Sequence, residues 1–212
     1  MKNKIAYSVL RRYRLAIRKP MSDINPIERS KIIRREADAL LEKVAVHQIL
    51  ASCEKVVLTG SYFLDTMVYP DIDLHMSKVS IPTLFEIGGK LADHEFTIEV
   101  VFQKPKVANL PGGLYMKARF DYGDWGRPWK LDIWSLDDSL IEGQISEMNR
   151  LQEKMSEELR ETIIRYKFSV MTDQHRTPRY SGYFIYKAFL DEGFRDFGEV
   201  TQYLIENGIE MG

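Results

Sequence analysis

Val57-Leu58-Thr59-Gly60-Ser61, nine further residues, then Asp71-Ile72-Asp73-Leu74 is the stretch that decides how this chain folds. Val56-Val57-Leu58 reads as a short buried strand, and Gly60-Ser61 as a turn leading into a short helix over Tyr62 to Thr66. Tyr69-Pro70 resets the chain to extended conformation, because a residue before proline avoids the helical region. The next strand, Asp71 to Met76, puts both carboxylates on one face, since successive strand side chains alternate. They stand roughly 6.5 Å apart along the strand. Ile72 and Leu74 take the opposite, buried face. The plain reading of the pair is an exposed edge strand, but aspartate is depleted in strands and like charges this close raise one another's pKa, so a cation between them is preferred. Mg²⁺ suits the pair, being held by one or two carboxylates together with substrate phosphates.

The turn has chemistry of its own. Gly60 tolerates a positive φ and close backbone approach, and Ser61 offers a hydroxyl; free N–H groups of a helix starting there attract phosphate oxygens. Its plain reading is a strand-to-helix turn capped by Ser61. Downstream, Lys130-Leu131-Asp132-Ile133-Trp134 is an alternating strand that carries another acid, and Thr97-Ile98-Glu99-Val100-Val101 carries a rival.

This order of features resembles the signature of the DNA polymerase β-type nucleotidyltransferase superfamily: hydrophobic strand, Gly-Ser, a spacer, Asp-apolar-Asp-apolar, then an acid on a later strand. The likeness spans about residues 57 to 135, and among its members the small-molecule and antibiotic nucleotidyltransferases have a similar layout. It implies an α+β fold, a mixed sheet flanked by helices with a helical C-terminal portion. It also implies two Mg²⁺ ions on Asp71, Asp73 and Asp132, a triphosphate held at Gly60 and Ser61, and Asp132 as general base. Asp132 is preferred over Glu99 because Lys-Leu-Asp-Ile-Trp better resembles the last core strand. The implied reaction moves a nucleoside monophosphate from an NTP, with ATP expected, to a hydroxyl acceptor and releases pyrophosphate.

Composition bounds the rest. The chain of 212 residues has 30 basic and 31 acidic side chains and a formal net charge of −1, which argues against a generic nucleic-acid binder and favours a small molecule or a protein side chain over long RNA as acceptor. A single cysteine, Cys53, excludes an internal disulfide framework and fits a cytoplasmic setting. No apolar run approaches the roughly eighteen residues that span a bilayer. The first twenty residues hold seven positive charges and no acid; a surface helix is preferred there over an anion-seeking arm or a targeting peptide.

A catalytic core over residues 1–138 and a helical portion over 139–212 are expected. A long helix is expected from Ile27 to Ser52 and another over Ile81 to Ala92, weakened by Gly88-Gly89. Strands are expected over Phe96–Phe102, Leu114–Tyr122 and Trp129–Leu136, and helices over Leu140–Met171, Ser181–Leu190 and Phe197–Ile205. Lys130 is expected on the face opposite Asp132, and Lys117 and Arg119 in cross-strand surface pairs. Lys167, Arg176, Arg179, Tyr180 and Tyr183 are candidates to close over a nucleotide. His75 is expected on the face of Asp71 and Asp73, and the four histidines have no zinc-ligand spacing. Two other functions compete: RNA or tRNA 3′-end nucleotide addition anchored by the basic N-terminus, and a non-catalytic interaction protein of toxin–antitoxin type.

Overall fold

The computed structural model describes residues 24–108 and 110–211, so the basic N-terminal segment and its expected helix lie outside the described residues. Helix α1 spans Pro26–Lys43: Asn25 caps it by accepting from the Ile27 amide at 2.9 Å, and Pro26 opens it where no amide hydrogen is needed. The expected single helix to Ser52 is broken. Ala45 takes a left-handed φ of 56°, and a separate turn, α2 (Val46–Ile49), follows. No Gly or Pro marks that break; burial of Val44, Val46 and Leu50 on either side offsets the strained alanine.

The sheet is built from β1 (Val56–Thr59), β2 (Asp71–Ser77), β3 (Thr97–Gln103), β4 (Leu114–Phe120) and β5 (Trp129–Leu136). Its order is β1-β2-β5-β4-β3, with β2 and β5 parallel and every other neighbouring pair antiparallel. Between β1 and β2 lies one helical turn, α3 (Gly60–Phe63), and between β2 and β3 lies α4 (Ile81–Ala92). A parallel pair needs a long crossover, and everything from α4 to β4 supplies it. This α+β architecture, a mixed sheet flanked by helices with further helices toward the C-terminus, is the arrangement expected from the sequence.

One sheet face is apolar. Ile72, Leu74 and Met76 of β2, Leu131 and Ile133 of β5, and Met116, Ala118 and Phe120 of β4 form one cluster with Ile33, Ala37 and Leu40 of α1 and Leu84, Ile87 and Leu91 of α4. Each of these buried side chains other than the two alanines contributes about 1.5–3 kcal/mol. Gly88 does not weaken α4 so much as admit it: a Cβ there would stand 2.8 Å from the Met116 methyl on β4.

After β5 come α5 (Asp138–Glu153), α6 (Glu157–Ser169), α7 (Ser181–Leu190) and α8 (Phe197–Glu206). The expected continuous helix to Met171 stops at Lys154-Met155, because Ser156 begins a new one by accepting from the Leu159 amide. A second cluster joins these helices through Leu151, Ile163, Tyr166, Ile185, Phe189, Val200 and Leu204. Leu64, from the connection between α3 and β2, belongs to it too. Among the described residues no helix is long and apolar enough to cross a membrane.

Candidate active site

The parallel register of β2 and β5 brings the expected acids together. Asp73 is directly opposite Asp132, and Asp71 is opposite Lys130. Asp71, Asp73, Lys130 and Asp132 therefore share the face that the apolar side chains leave free. Asp71 and Asp132 are buried, and Asp73 is partly exposed.

Lys130 corrects the sequence expectation. It lies two residues from Asp132, an even spacing, and so points to the same face rather than the other. Its Nζ is 2.5 Å from Asp132 Oδ2 and 3.1 Å from Asp71 Oδ1, with only 12% of the side chain exposed. Burial opposes its charge, but Asp71 and Asp132 outweigh that and hold the ammonium above its ordinary pKa. The other oxygen of Asp132, Oδ1, accepts from the Tyr115 hydroxyl at 2.6 Å. Tyr115 pairs with Trp134 across β4 and β5 and so reaches Asp132 diagonally, a contact that reading each strand singly does not reveal.

Burial drives the Asp73 carboxyl up to about 7, helped by Asp71 and Asp132 and opposed by Lys130 and Lys167. Burial raises Asp71 as well, against the pull of Lys130. Oδ1 of Asp71 accepts no well-directed hydrogen bond, although Lys130 pairs with it. This is the signature of negative charge gathered in low dielectric with incomplete compensation.

The Gly60-Ser61 turn lies against this row. Thr59 pairs with Asp73 in the β1–β2 ladder, and the chain then turns through Gly60 at φ +60°. Here the glycine is required twice: by its dihedral, and because a Cβ would sit 2.7 Å from Asp73 Oδ2. Ser61 does not cap the helix; Thr59 occupies that position and α3 begins at Gly60.

Glu99 is placed elsewhere. It sits on the edge strand β3, two strands from β5, where it pairs with Lys117 and Arg119 at 3.2 Å each. Those two cations thus take the cross-strand role expected of them. His75 shares the face of Asp71 and Asp73, further along β2; burial depresses its pKa to about 4, and its Nδ1 has no hydrogen-bond partner. Arg127, just before β5, feels Asp71 and has a buried Nη1 without a partner. Sequence reasoning passed over it because it lies in a loop between Gly126 and Pro128.

Of the helical candidates, Lys167 lies near enough to feel the charge of Asp73 and Asp71. It projects from α6, buried, and donates to the Thr66 carbonyl at 2.7 Å and toward the Tyr186 hydroxyl at 3.3 Å. Burial pulls its pKa down to about 7, while Asp73 and Asp71 push back. Arg176 donates to the Thr177 carbonyl in the α6–α7 loop. Tyr180 is 85% exposed, Arg179 is also exposed, and Tyr183 is turned toward Glu147.

Among the described residues no three His, Cys, Asp or Glu side chains converge as a ready cage for a metal. In the row itself the Lys130 ammonium lies between Asp71 and Asp132. What remains for a divalent ion is the pair Asp71 and Asp73, whose hard oxygen donors, raised pKa values and incompletely bonded Asp71 Oδ1 fit one.

No protein-family profile matches the chain, and no curated protein matches it. Two solved structures are similar in shape. One is a candidate nucleotidyltransferase from H. pylori, 15% identical, with 79% of this chain and 89% of that one covered at a TM-score of 0.36. The other is JHP933 from Helicobacter pylori, 12% identical, with 82% and 73% covered at a TM-score of 0.34. At that degree of overlap neither bears on this chain's chemistry.

Proposed function

We propose that the protein is a divalent-metal-dependent nucleotidyltransferase, moving a nucleoside monophosphate from an NTP to a hydroxyl acceptor. The observation that carries this reading is the β2–β5 register, which sets Asp73 against Asp132 with Asp71 in the same row and the Gly60-Ser61 turn beside it. A purely structural ion-pair network would have no use for an excess of buried carboxylate, because uncompensated charge of this kind is costly. That cost is common at sites that await a charged ligand.

In this reading Asp71 and Asp73 hold Mg²⁺ together with the nucleotide phosphates. The bound ion supplies positive charge where the leaving pyrophosphate gathers negative charge. Gly60 lets the backbone approach the phosphates, and Ser61 offers its hydroxyl. Asp132 takes the proton of the acceptor hydroxyl. The acceptor oxygen bonds to the α-phosphorus, the bond from that phosphorus to the bridging oxygen breaks, and pyrophosphate leaves with the electron pair. Most of the rate enhancement would come from positioning and charge complementarity. ATP is the proposed donor. A small molecule, an antibiotic among the possibilities, is the proposed acceptor, consistent with the net charge of −1.

Calorimetric titration of ATP, CTP, GTP and UTP, with and without Mg²⁺, tests this. The expected result is metal-dependent binding of one nucleotide, abolished by Asp71→Asn/Asp73→Asn in a protein that still melts cooperatively. No binding of any nucleotide with Mg²⁺ would end the transferase reading.

A further inference from the structure

We propose that the Lys130 ammonium takes the place of the acceptor-side cation, so that the site works with one divalent ion, on Asp71 and Asp73, rather than two. This rests on the nucleotidyltransferase reading above and departs from the two-ion site that the sequence resemblance implies.

The backbone fixes Lys130 in position. It is the register partner of Asp71 and lies two residues from Asp132 on the same strand face. A four-carbon stem anchored there has its ammonium between the two carboxylates, and contacts of 3.1 and 2.5 Å with 12% exposure show it lodged rather than passing. Removing it would leave three acids around an empty centre, and breaking buried ion pairs of this kind is strongly unfavourable.

Among the described residues Asp132 pairs with no other cation. Its neighbour across β4, Lys117, is in the same row but is drawn away to Glu99 at 3.2 Å. Its two oxygens are taken by Tyr115 and Lys130, one each. A carboxylate has about four lone-pair directions, so Asp132 can still accept one proton from an incoming hydroxyl while both donors keep it oriented. Lys130 then does electrostatically what an acceptor-side ion would do, with one positive charge instead of two. It favours the ionised acceptor oxygen and, with Tyr115, keeps Asp132 oriented toward it.

Counting ions in the nucleotide complex tests the proposal without an acceptor. The full-length chain is loaded with Mn²⁺ and α,β-methylene-ATP, or the analogue of whichever nucleotide binds. Native mass spectrometry gives the number of ions per complex, and electron paramagnetic resonance reports whether two Mn²⁺ ions are coupled at the roughly 3.5–4 Å of a two-metal site. The wild type is expected to hold one uncoupled ion. Lys130→Met is expected to gain a second, coupled ion, and Lys130→Met/Asp132→Asn to lose it again. A coupled pair in the wild type, or no gain in a folded Lys130→Met, overturns the proposal and leaves the transferase reading intact. Failure of both proteins to take up Mn²⁺ with nucleotide overturns that reading as well. The wild-type count decides the matter even where Lys130→Met does not fold; Lys130→Gln, which keeps a hydrogen-bond donor without charge, is the second variant.

Discussion

Gly60 and Asp73 leave no room for each other's elaboration: a Cβ on residue 60 would stand 2.7 Å from Asp73 Oδ2. The turn and the acid row are therefore one mechanical unit. Gly60→Ala combines that clash with a left-handed backbone, which alone costs about 1–2 kcal/mol for a residue with a Cβ. The variant is expected to be less stable in urea by at least that amount, and to bind Mg²⁺–nucleotide more weakly because Asp73 must move. Unchanged affinity in calorimetry would detach the turn from the site.

The two rival acids separate cleanly by mutation. Glu99 pairs with Lys117 and Arg119 at a partly exposed sheet edge, where such pairs contribute about 0–1 kcal/mol. Glu99→Gln should leave turnover within a small factor of the wild type. Asp132→Asn removes the proposed base and should lower kcat by about 10²–10⁴. Once an acceptor is known, steady-state kinetics of both variants decides; a large loss in Glu99→Gln with little in Asp132→Asn would reverse the assignment.

Lys167 predicts how stability changes with pH. Its pKa in the folded protein, about 7, lies below the ordinary 10.5, so between those values the unfolded chain binds more protons. That contribution to stability is present above 10.5 and is lost as pH falls toward 7. The wild type should gain up to about 1.4 kcal/mol per pH unit over this range relative to Lys167→Met, which has nothing to titrate. Urea melts of both proteins at pH 7.5, 8.5 and 9.5 measure the difference in slope. Parallel curves would mean that Lys167 stays charged through the range.

Asp73 predicts how ligand binding changes with pH. With its carboxyl up at about 7 in the metal-free protein, it is mostly protonated below that pH and must lose a proton to meet a cation. Affinity for Mn²⁺ with nucleotide should fall as pH drops from 8 to 6, by up to about tenfold per unit once below the pKa. Asp73→Asn should abolish the dependence together with the tight binding. A flat profile in the wild type would show that Asp73 is ionised throughout.

Much of this site could be read from the chain because its parts are local. Asp71 and Asp73 are two residues apart on one strand, and Gly60-Ser61 is the turn just before it, so alternation and turn chemistry suffice. Lys130 was equally legible: its even spacing from Asp132 places it on the acid face, contrary to the expectation that it points away. Tyr115 and Lys167 were not. Tyr115 reaches Asp132 only through a diagonal set by the β4–β5 register, and Lys167 meets Thr66 across 101 positions of sequence. The same limit explains the helices. Ser156 announces a new start after Met155, whereas Ala45 breaks its helix without any residue that favours the left-handed region.

Thr66 offers its carbonyl to Lys167 and its hydroxyl to Tyr186 at 2.6 Å, while Lys167 also points at Tyr186, so the connection into β2, helix α6 and helix α7 close a ring of polar contacts. With Leu64 buried among the helices beside it, the segment that delivers Asp71 to the sheet is held from the C-terminal side. A fragment ending at residue 138 would strand that carbonyl and bare that leucine. The geometry of the acid row and the folding of the last third of the chain should therefore be lost in a single transition.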